Sequence, residues 1–260
     1  MSERLAGRGG DPWVGLDVVD AVGSTNAELL RDPRPWRVLT TDHQQDGRGR
    51  LTRPWQTPAG VAIAVSACVP VPEARMESLG WLPLLAGLAI RSAIQRAGVD
   101  AVLKWPNDVL APVDGERKLC GILCELAPGP APGVALAVLG VGVNVHQTRD
   151  QLPVDTATSL ALCGAVDPSR EVILADFLAE VATRHRQWIA GGDQLAALVD
   201  DYRAVCATIG REVDIHIPDG GLVHGVVDAV DDDGRLVLTS AGGRTVYSAG
   251  DVVHARLRPA

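Results

Sequence analysis

Lysine is almost absent from this sequence. Of 24 basic residues, 22 are arginine, and only Lys104 and Lys118 are lysine. Asparagine is nearly as scarce, at Asn26, Asn107 and Asn144 alone. A composition that exchanges Lys for Arg and discards Asn marks the survivors as candidates for work that Arg or Asp cannot do. Lys is a compact charge on a flexible stem, whereas Arg is a wide planar fork. Asn both donates and accepts, whereas ionised Asp only accepts. Aromatic residues make up 3% of the chain, so aliphatic side chains must build the core of a sequence that is 47% hydrophobic. No apolar run approaches the roughly 20 residues that span a bilayer. The longest, Val61–Val71 and Val134–Val145, read as buried strands. Met1–Gly10 is polar and Gly-rich and has no apolar signal-peptide core, so residues 1–12 read as a disordered leader on a cytoplasmic protein. The five cysteines form no CxxC and no Cys/His ligand spacing, which argues against zinc. A net charge of −8 argues against nonspecific nucleic-acid binding, although it leaves room for a local basic pocket.

What is present divides in two. Asp17–Ala21 reads as a strand, followed by a helix opened by Gly23-Ser24-Thr25-Asn26, with Ser24 or Thr25 as its cap. Trp36–Thr41 and Val61–Val69 are strands around a loop from His43 to Gly60. Glu73–Gly98 has helical spacing, and Pro83 predicts either a start near Trp81 or a kink. Ala101–Lys104, Leu119–Leu126 and Val134–Val145 are strands, with a turn at Trp105–Asp108 and a hairpin signal at Asp114-Gly115. His146–Asp155 reads as surface loop, Thr158–Leu162 as a short helix, and Arg170–Ile189 and Asp193–Ala204 as longer helices. After Gly210, short strands at Val213–Ile217, Leu222–Val230, Arg235–Leu238 and Thr245–Ser248 alternate with Gly-rich turns, the pattern of an SH3-like barrel. The predicted architecture is an α/β fold. A central mixed sheet flanked by helices over residues 13–208 precedes a C-terminal SH3-like β-barrel over 209–260.

Three stretches suggest chemistry. From Gly47 to Pro54, three arginines and two glycines fall within eight residues, between Gln44 and Trp55. Glycines allow a ligand close to the backbone, and guanidinium groups suit a polyphosphate. This is neither a Walker loop nor a dinucleotide-binding GxGxxG. Lys104-Trp105-Pro106-Asn107-Asp108 precedes Lys118-Leu119-Cys120-Gly121 and gathers both lysines around one asparagine. Gly140-Val141-Gly142-Val143-Asn144 ends an apolar strand, where alternating Gly marks close approach by another group. Cys120 has neighbours that would place it beside such a site, but core packing is the preferred reading. Asp231-Asp232-Asp233 reads as a solvated turn.

In order along the chain, Ser24-Thr25-Asn26, Gln44 with Gly47-Arg48-Gly49-Arg50, the Lys104–Asp108 and Lys118–Leu123 motifs and Gly140–Asn144 resemble the biotin protein ligases. The resemblance covers about residues 17 to 257. It implies activation of biotin by ATP to biotinyl-5′-AMP, with release of pyrophosphate and with Mg²⁺ on the phosphates. The acyl group then passes to one Lys of a biotin carboxyl carrier domain. Lys118 is implied as the charge beside the carboxylate and α-phosphate, and Arg48 at the carboxylate or acyl-phosphate. Ser24, Thr25, Asn26 and Gln44 are implied at the ureido ring. Gly47, Arg48, Gly49 and Arg50 would close over the ligand, with Gly121, Gly140 and Gly142 giving space. Arg50, Arg53, Trp55, Asn107 and Asn144 would serve ATP and the adenylate, while Asp108 and Lys104 would serve the incoming amine. Two positions depart from the pattern: Gly23 stands where many relatives have Asp, and Asp46, which could pair with Arg48, where they have a small uncharged residue. A lipoate-type adenylating ligase and a non-catalytic biotin sensor are the rival readings. No operator binding and no membrane partner are expected, and the chain is expected to be a monomer or weak homodimer.

Overall fold

The computed structural model describes residues 12–55, 58–216, 221–248 and 251–254. Most of the expected leader, the 219–220 part of one turn and Ile217 lie outside these residues. The first half of the chain builds β1 (Gly15–Val22), α1 (Thr25–Arg31), β2 (Arg37–Gln44), β3 (Ala62–Pro72), α2 (Trp81–Arg96), β4 (Val102–Lys104), β5 (Asp108–Ala111), β6 (Arg117–Pro128) and β7 (Val134–Asn144). The helices α3 (Arg170–Ala190) and α4 (Gly192–Val205) follow. Then come β8 (Glu212–His216), β9 (Leu222–Val230), β10 (Leu236–Ser240), β11 (Gly243–Tyr247) and β12 (Asp251–His254).

One sheet runs β1-β2-β3-β7-β6-β5-β4. Only β1 and β2 are parallel, because α1 carries the chain across between them; every other pair is antiparallel. Strand alternation separates its two faces. Ala137, Leu139, Val141 and Val143 of β7 join the main core with α2, α3 and α4, which includes Trp81, Phe177 and Trp188. On the other face, Leu136 and Val138 pack with Cys68, Leu39 and Leu29 of α1. Gly140, Gly142 and Asn144 continue that second face, so the repeat of small residues in β7 leaves a hollow beyond the end of α1.

The ambiguity at Pro83 resolves into two elements. Glu73–Ser78 is a 3-10 turn, and α2 starts at Trp81. Pro83 therefore sits among the first residues of the helix, whose N–H groups lack intrahelical partners in any case. The short helix expected at Thr158–Leu162 is a correction: residues 160–164 form turns. Thr158 N donates instead to Lys118 O at 2.9 Å, and Asn144 Nδ2 donates to Thr158 O at 2.9 Å. Tertiary ties have taken the groups a helix would have used.

The C-terminal strands form one antiparallel sheet in the order β11-β10-β9-β8-β12. Among the described residues no ladder joins β11 to β12. The β9–β10 turn leaves the Asp232 side chain in solvent, and its carbonyls dock on the first unit: Trp81 Nε1 donates to Asp232 O at 2.7 Å and Trp105 Nε1 to Gly234 O at 3.0 Å. Trp105 N also donates to Thr208 Oγ1 at 3.0 Å.

Candidate active site

The hollow on the second face is a cavity of about 630 Å³. At one end is an uncharged hydrogen-bonding corner. Ser24 caps α1 through the Ala27 N–H, and the next two residues, Thr25 and Asn26, are buried. The Thr25 N–H and hydroxyl lie 3.0 and 3.1 Å from Gln44 Oε1. Asn26 Nδ2 donates to Glu125 Oε2 at 2.7 Å and to Leu123 O at 3.2 Å, while its Oδ1 faces Ser66 Oγ at 2.5 Å. Ser66 is fully buried and also lies 2.7 Å from Thr25 Oγ1.

In the middle, Lys118 Nζ is 2.5 Å from Asp108 Oδ1 and 5.5 Å from the centre of the Trp55 ring. The main chain of Lys118 is clasped by the 156–158 segment, with Lys118 N donating to Thr156 O at 2.8 Å. Asn107 Nδ2 donates to Ile122 O at 3.0 Å, tying the turn before β5 to β6. Asn144 uses its Nδ2 on Thr158 O and its Oδ1 on Gln147 Nε2 at 3.0 Å. Both asparagines line the cavity while holding its frame.

The far side is a hairpin from Gly47 to Trp55. Gly49 N donates to Arg53 O at 2.7 Å and Trp55 N to Gly47 O at 2.8 Å, with a bridge between Arg48 and Pro54. Leu51 turns the tip at φ 55°, in the left-handed region. Arg48, Arg50, Arg53 and Trp55 of this hairpin line the cavity. With Lys118 they make four cations against one carboxylate, Asp108, in a chain of net charge −8. The cavity is thus a local positive field that favours an anionic ligand.

The glycines explain how the walls meet. A Cβ on Gly140 would sit 2.2 Å from Asn26 Oδ1, and one on Gly142 2.2 Å from Trp55 Nε1. One on Gly121, which pairs with Gly142, would lie 3.0 Å from Trp55 and 3.1 Å from Lys118 Nζ. The space these glycines provide is therefore taken by Asn26, Trp55 and Lys118 rather than left directly to a ligand. Gly47 gives room to Gln44 Nε2, 2.2 Å from its would-be Cβ.

All but two of the expected site residues line this cavity. Gly47 supports it from behind. Lys104 does not line it; it lies at the end of the edge strand β4, opposite Asp108 in the ladder. Cys120 is fully buried, burial pushes its thiol upward, and it belongs to the core. Asp46 forms no ion pair with Arg48 among the described residues; its N–H donates to Gly23 O at 2.7 Å. Ser66, Glu125 and the lining residues Pro153, Val154, Thr156 and Ala157 were missed by sequence reasoning. A lone hydroxyl in an apolar strand and a lone carboxylate in another were signals for the first two. The 153–157 segment carried none beyond its loop composition.

A neutral hydrogen-bonding corner, a central lysine and an arginine-bearing hairpin suit one class of protein: ligases that join an acid to a nucleotide before passing it on. The comparisons with known proteins agree. Residues 22–144 match the Biotin/lipoate A/B protein ligase family, and residues 208–255 match the Biotin protein ligase C terminal domain. The chain is 42% identical to the biotin--[acetyl-CoA-carboxylase] ligase of Mycobacterium tuberculosis, over 98% of this chain and 94% of the relative. It is 30% identical to the bifunctional ligase/repressor BirA of Bacillus spizizenii, over 90% of this chain and 71% of that protein. The biotin protein ligase of Aquifex aeolicus in complex with biotin and ATP shares the fold, with a TM-score of 0.77 at 24% identity over 94% of this chain and 100% of that one. The chain belongs to the biotin protein ligases.

Proposed function

We propose that this chain activates biotin with ATP to biotinyl-5′-AMP and then transfers the biotinyl group to one Lys of a biotin carboxyl carrier domain. The single observation that carries this reading is the position of Lys118. It lies between an uncharged corner that fits a ureido ring and an arginine hairpin that fits a polyphosphate.

In the first step a carboxylate oxygen of biotin attacks the α-phosphorus, an O–P bond forms, and pyrophosphate leaves with the electrons of the broken bond. The carboxylate is already ionised, so no base is required; two anions must be brought together in line. Lys118 supplies a compact charge between them, at the cost of loosening its pair with Asp108. Arg48 serves the carboxylate or acyl-phosphate, and Arg50 and Arg53 hold phosphate oxygens. Trp55 walls the nucleotide, and Asn107 and Asn144 keep that wall in register. Ser24, Thr25, Asn26 and Gln44 take the ureido end. Among the described residues no group of three or more His, Cys, Asp or Glu could hold a metal. Among the described lining residues Asp108 is the sole carboxylate, so Mg²⁺ would enter this site together with the phosphates.

In the second step the carrier amine attacks the acyl carbon and AMP leaves. A lysine amine has an unperturbed pKa of about 10.4. Asp108, released from Lys118, is the group available to orient that amine or take its proton. Lys104, on the strand beside it, adds positive charge that favours the neutral amine. Activation belongs to residues 13–208, and residues 209–260 serve as a docked module. We propose a cytoplasmic monomer or weak homodimer that binds no DNA. Among the described residues no helix is long and apolar enough to cross a membrane.

Pyrophosphate–ATP exchange with Mg²⁺ tests the proposal. Biotin-dependent exchange, followed by labelling of a carrier domain, is the expected result. Exchange with lipoate instead would change the substrate, and tight biotin binding without exchange would leave a sensor.

A further inference from the structure

The uncharged corner has a charged residue behind it. Glu125 does not line the cavity, yet its Oε2 is 2.7 Å from Asn26 Nδ2. It lies on β6 two and four residues beyond Leu123 and Gly121, on the face those lining residues share. A carboxylate and the Leu123 carbonyl only accept, so the Asn26 amide nitrogen must face both of them. Its Oδ1 is thereby turned to Ser66. Gly140 beneath Asn26 has no side chain, so the amide can lie flat on β7 in that orientation.

Proton counting then decides what the ligand meets. Ser66 and Thr25 hold one hydroxyl proton each, for three contacts: Ser66 to Asn26 Oδ1, Ser66 to Thr25 Oγ1 and Thr25 to Gln44 Oε1. The Gln44 oxygen is also fixed by the Thr25 N–H, so its orientation is set. If the Ser66 proton goes to Asn26, Thr25 Oγ1 keeps its lone pairs for a ligand donor. If it goes to Thr25, one of those lone pairs is used internally. Hydrogen bonds in a chain polarise one another, and a carboxylate at the end strengthens the acceptor next to it. The charge on Glu125 thus draws the Ser66 proton toward Asn26.

We propose that Glu125 is a positioning residue that orients Asn26 and commits the Ser66 proton, so that Thr25 Oγ1 accepts from an N–H of the substrate's head group. This rests on the biotin reading above. It also gives a physical basis for preferring an acid whose head carries N–H donors, such as a ureido ring, over one whose head has none. A site built to pair a substrate N–H rejects analogues that lack it.

The test compares wild type with Glu125→Ala, Glu125→Gln, Ser66→Ala and the Glu125→Ala/Ser66→Ala double variant. Pyrophosphate–ATP exchange gives kcat and the KM for biotin and for ATP, and calorimetry gives the Kd for biotin. Losing a charge-assisted hydrogen bond should raise the biotin KM and Kd roughly ten-fold in Glu125→Ala, with the ATP KM and kcat little changed. Glu125→Gln keeps an acceptor for Asn26 and should recover most of that loss. In the double variant no Ser66 proton is left to compete for Thr25 Oγ1, so Ser66→Ala should recover part of the Glu125→Ala loss, a non-additivity expected of residues in one chain. Unchanged biotin affinity in Glu125→Ala, or equal losses for biotin and ATP without rescue by Gln, would overturn the role of Glu125. Absence of exchange in the wild type would overturn adenylation alone, since the biotin Kd values still judge Glu125. Absence of biotin binding in the wild type would overturn both.

Discussion

The two walls of the cavity are built differently. The strand wall (Thr25, Asn26, Gln44 and Gly140) lies against the sheet, and its polar groups are buried and tied to residues far away in sequence. Asn26 alone reaches Ser66, Leu123 and Glu125. The hairpin wall from Gly47 to Trp55 is held by short-range main-chain bonds, and Arg48, Arg53 and Pro54 are exposed. A fixed wall suits a small neutral ring whose donors and acceptors must be matched one by one. A wall of exposed guanidinium groups suits a polyphosphate that must be gripped, broken and released. Lys118 belongs to neither wall, standing on β6 where they meet.

The comparison breaks most visibly at Lys118. Lys118→Ala should lower kcat for biotin-dependent exchange by about 100-fold or more, the scale of losing one preorganised charge at a reacting centre. Lys118→Arg should rescue poorly, because the Lys118 Nζ already sits where a Cβ on Gly121 would be only 3.1 Å away, and a planar fork is wider. Activity retained by Lys118→Ala would mean that the junction is not where the chemistry occurs. Trp55→Ala comes next. It uncovers Gly121 and Gly142 and should raise the ATP KM roughly ten-fold, the value of one stacked base. Its biotin KM should move less; equal change in both would merge the two walls. Arg53→Ala should raise the ATP KM a few-fold, and added salt should shrink the difference, as exposed charges are screened beyond about 10 Å at 0.1 M. The smallest effect on catalysis belongs to a residue outside both walls. Trp105→Phe leaves a smaller ring in a fully buried site and loses the bond to Gly234 O, which should cost about 2 kcal/mol of stability or more. Thermal unfolding would show a lower midpoint, with both KM values unchanged.

Much of this was legible in the sequence because the informative residues were rare. The scarcity of Lys and Asn pointed to Lys118, Asn26, Asn107 and Asn144, and all four line the cavity. Lys104 is equally rare and does not line it, because rarity marks a constraint without saying where the side chain points. The alternation in Gly140-Val141-Gly142 gave the two faces of β7 correctly. It could not say what approached them, and the answer came from Asn26 and Trp55, about 115 and 90 residues earlier in the chain. Glu125 stands out as a lone carboxylate in an apolar strand, but only the folded register places it beside Asn26. Trp105 lies within the Lys104–Asp108 motif, yet it serves as a post for the β9–β10 turn. Long-range pairing of this kind leaves no periodic trace.

The most direct test uses two glycines of one strand, with Val141 between them. Gly140→Ala should push on Asn26, and Gly142→Ala on Trp55. Biotin KM should rise in the first with ATP KM little changed, and ATP KM should rise in the second with biotin KM little changed. If both variants weaken both substrates alike, the cavity is one undivided site, and the division of labour between its walls is wrong.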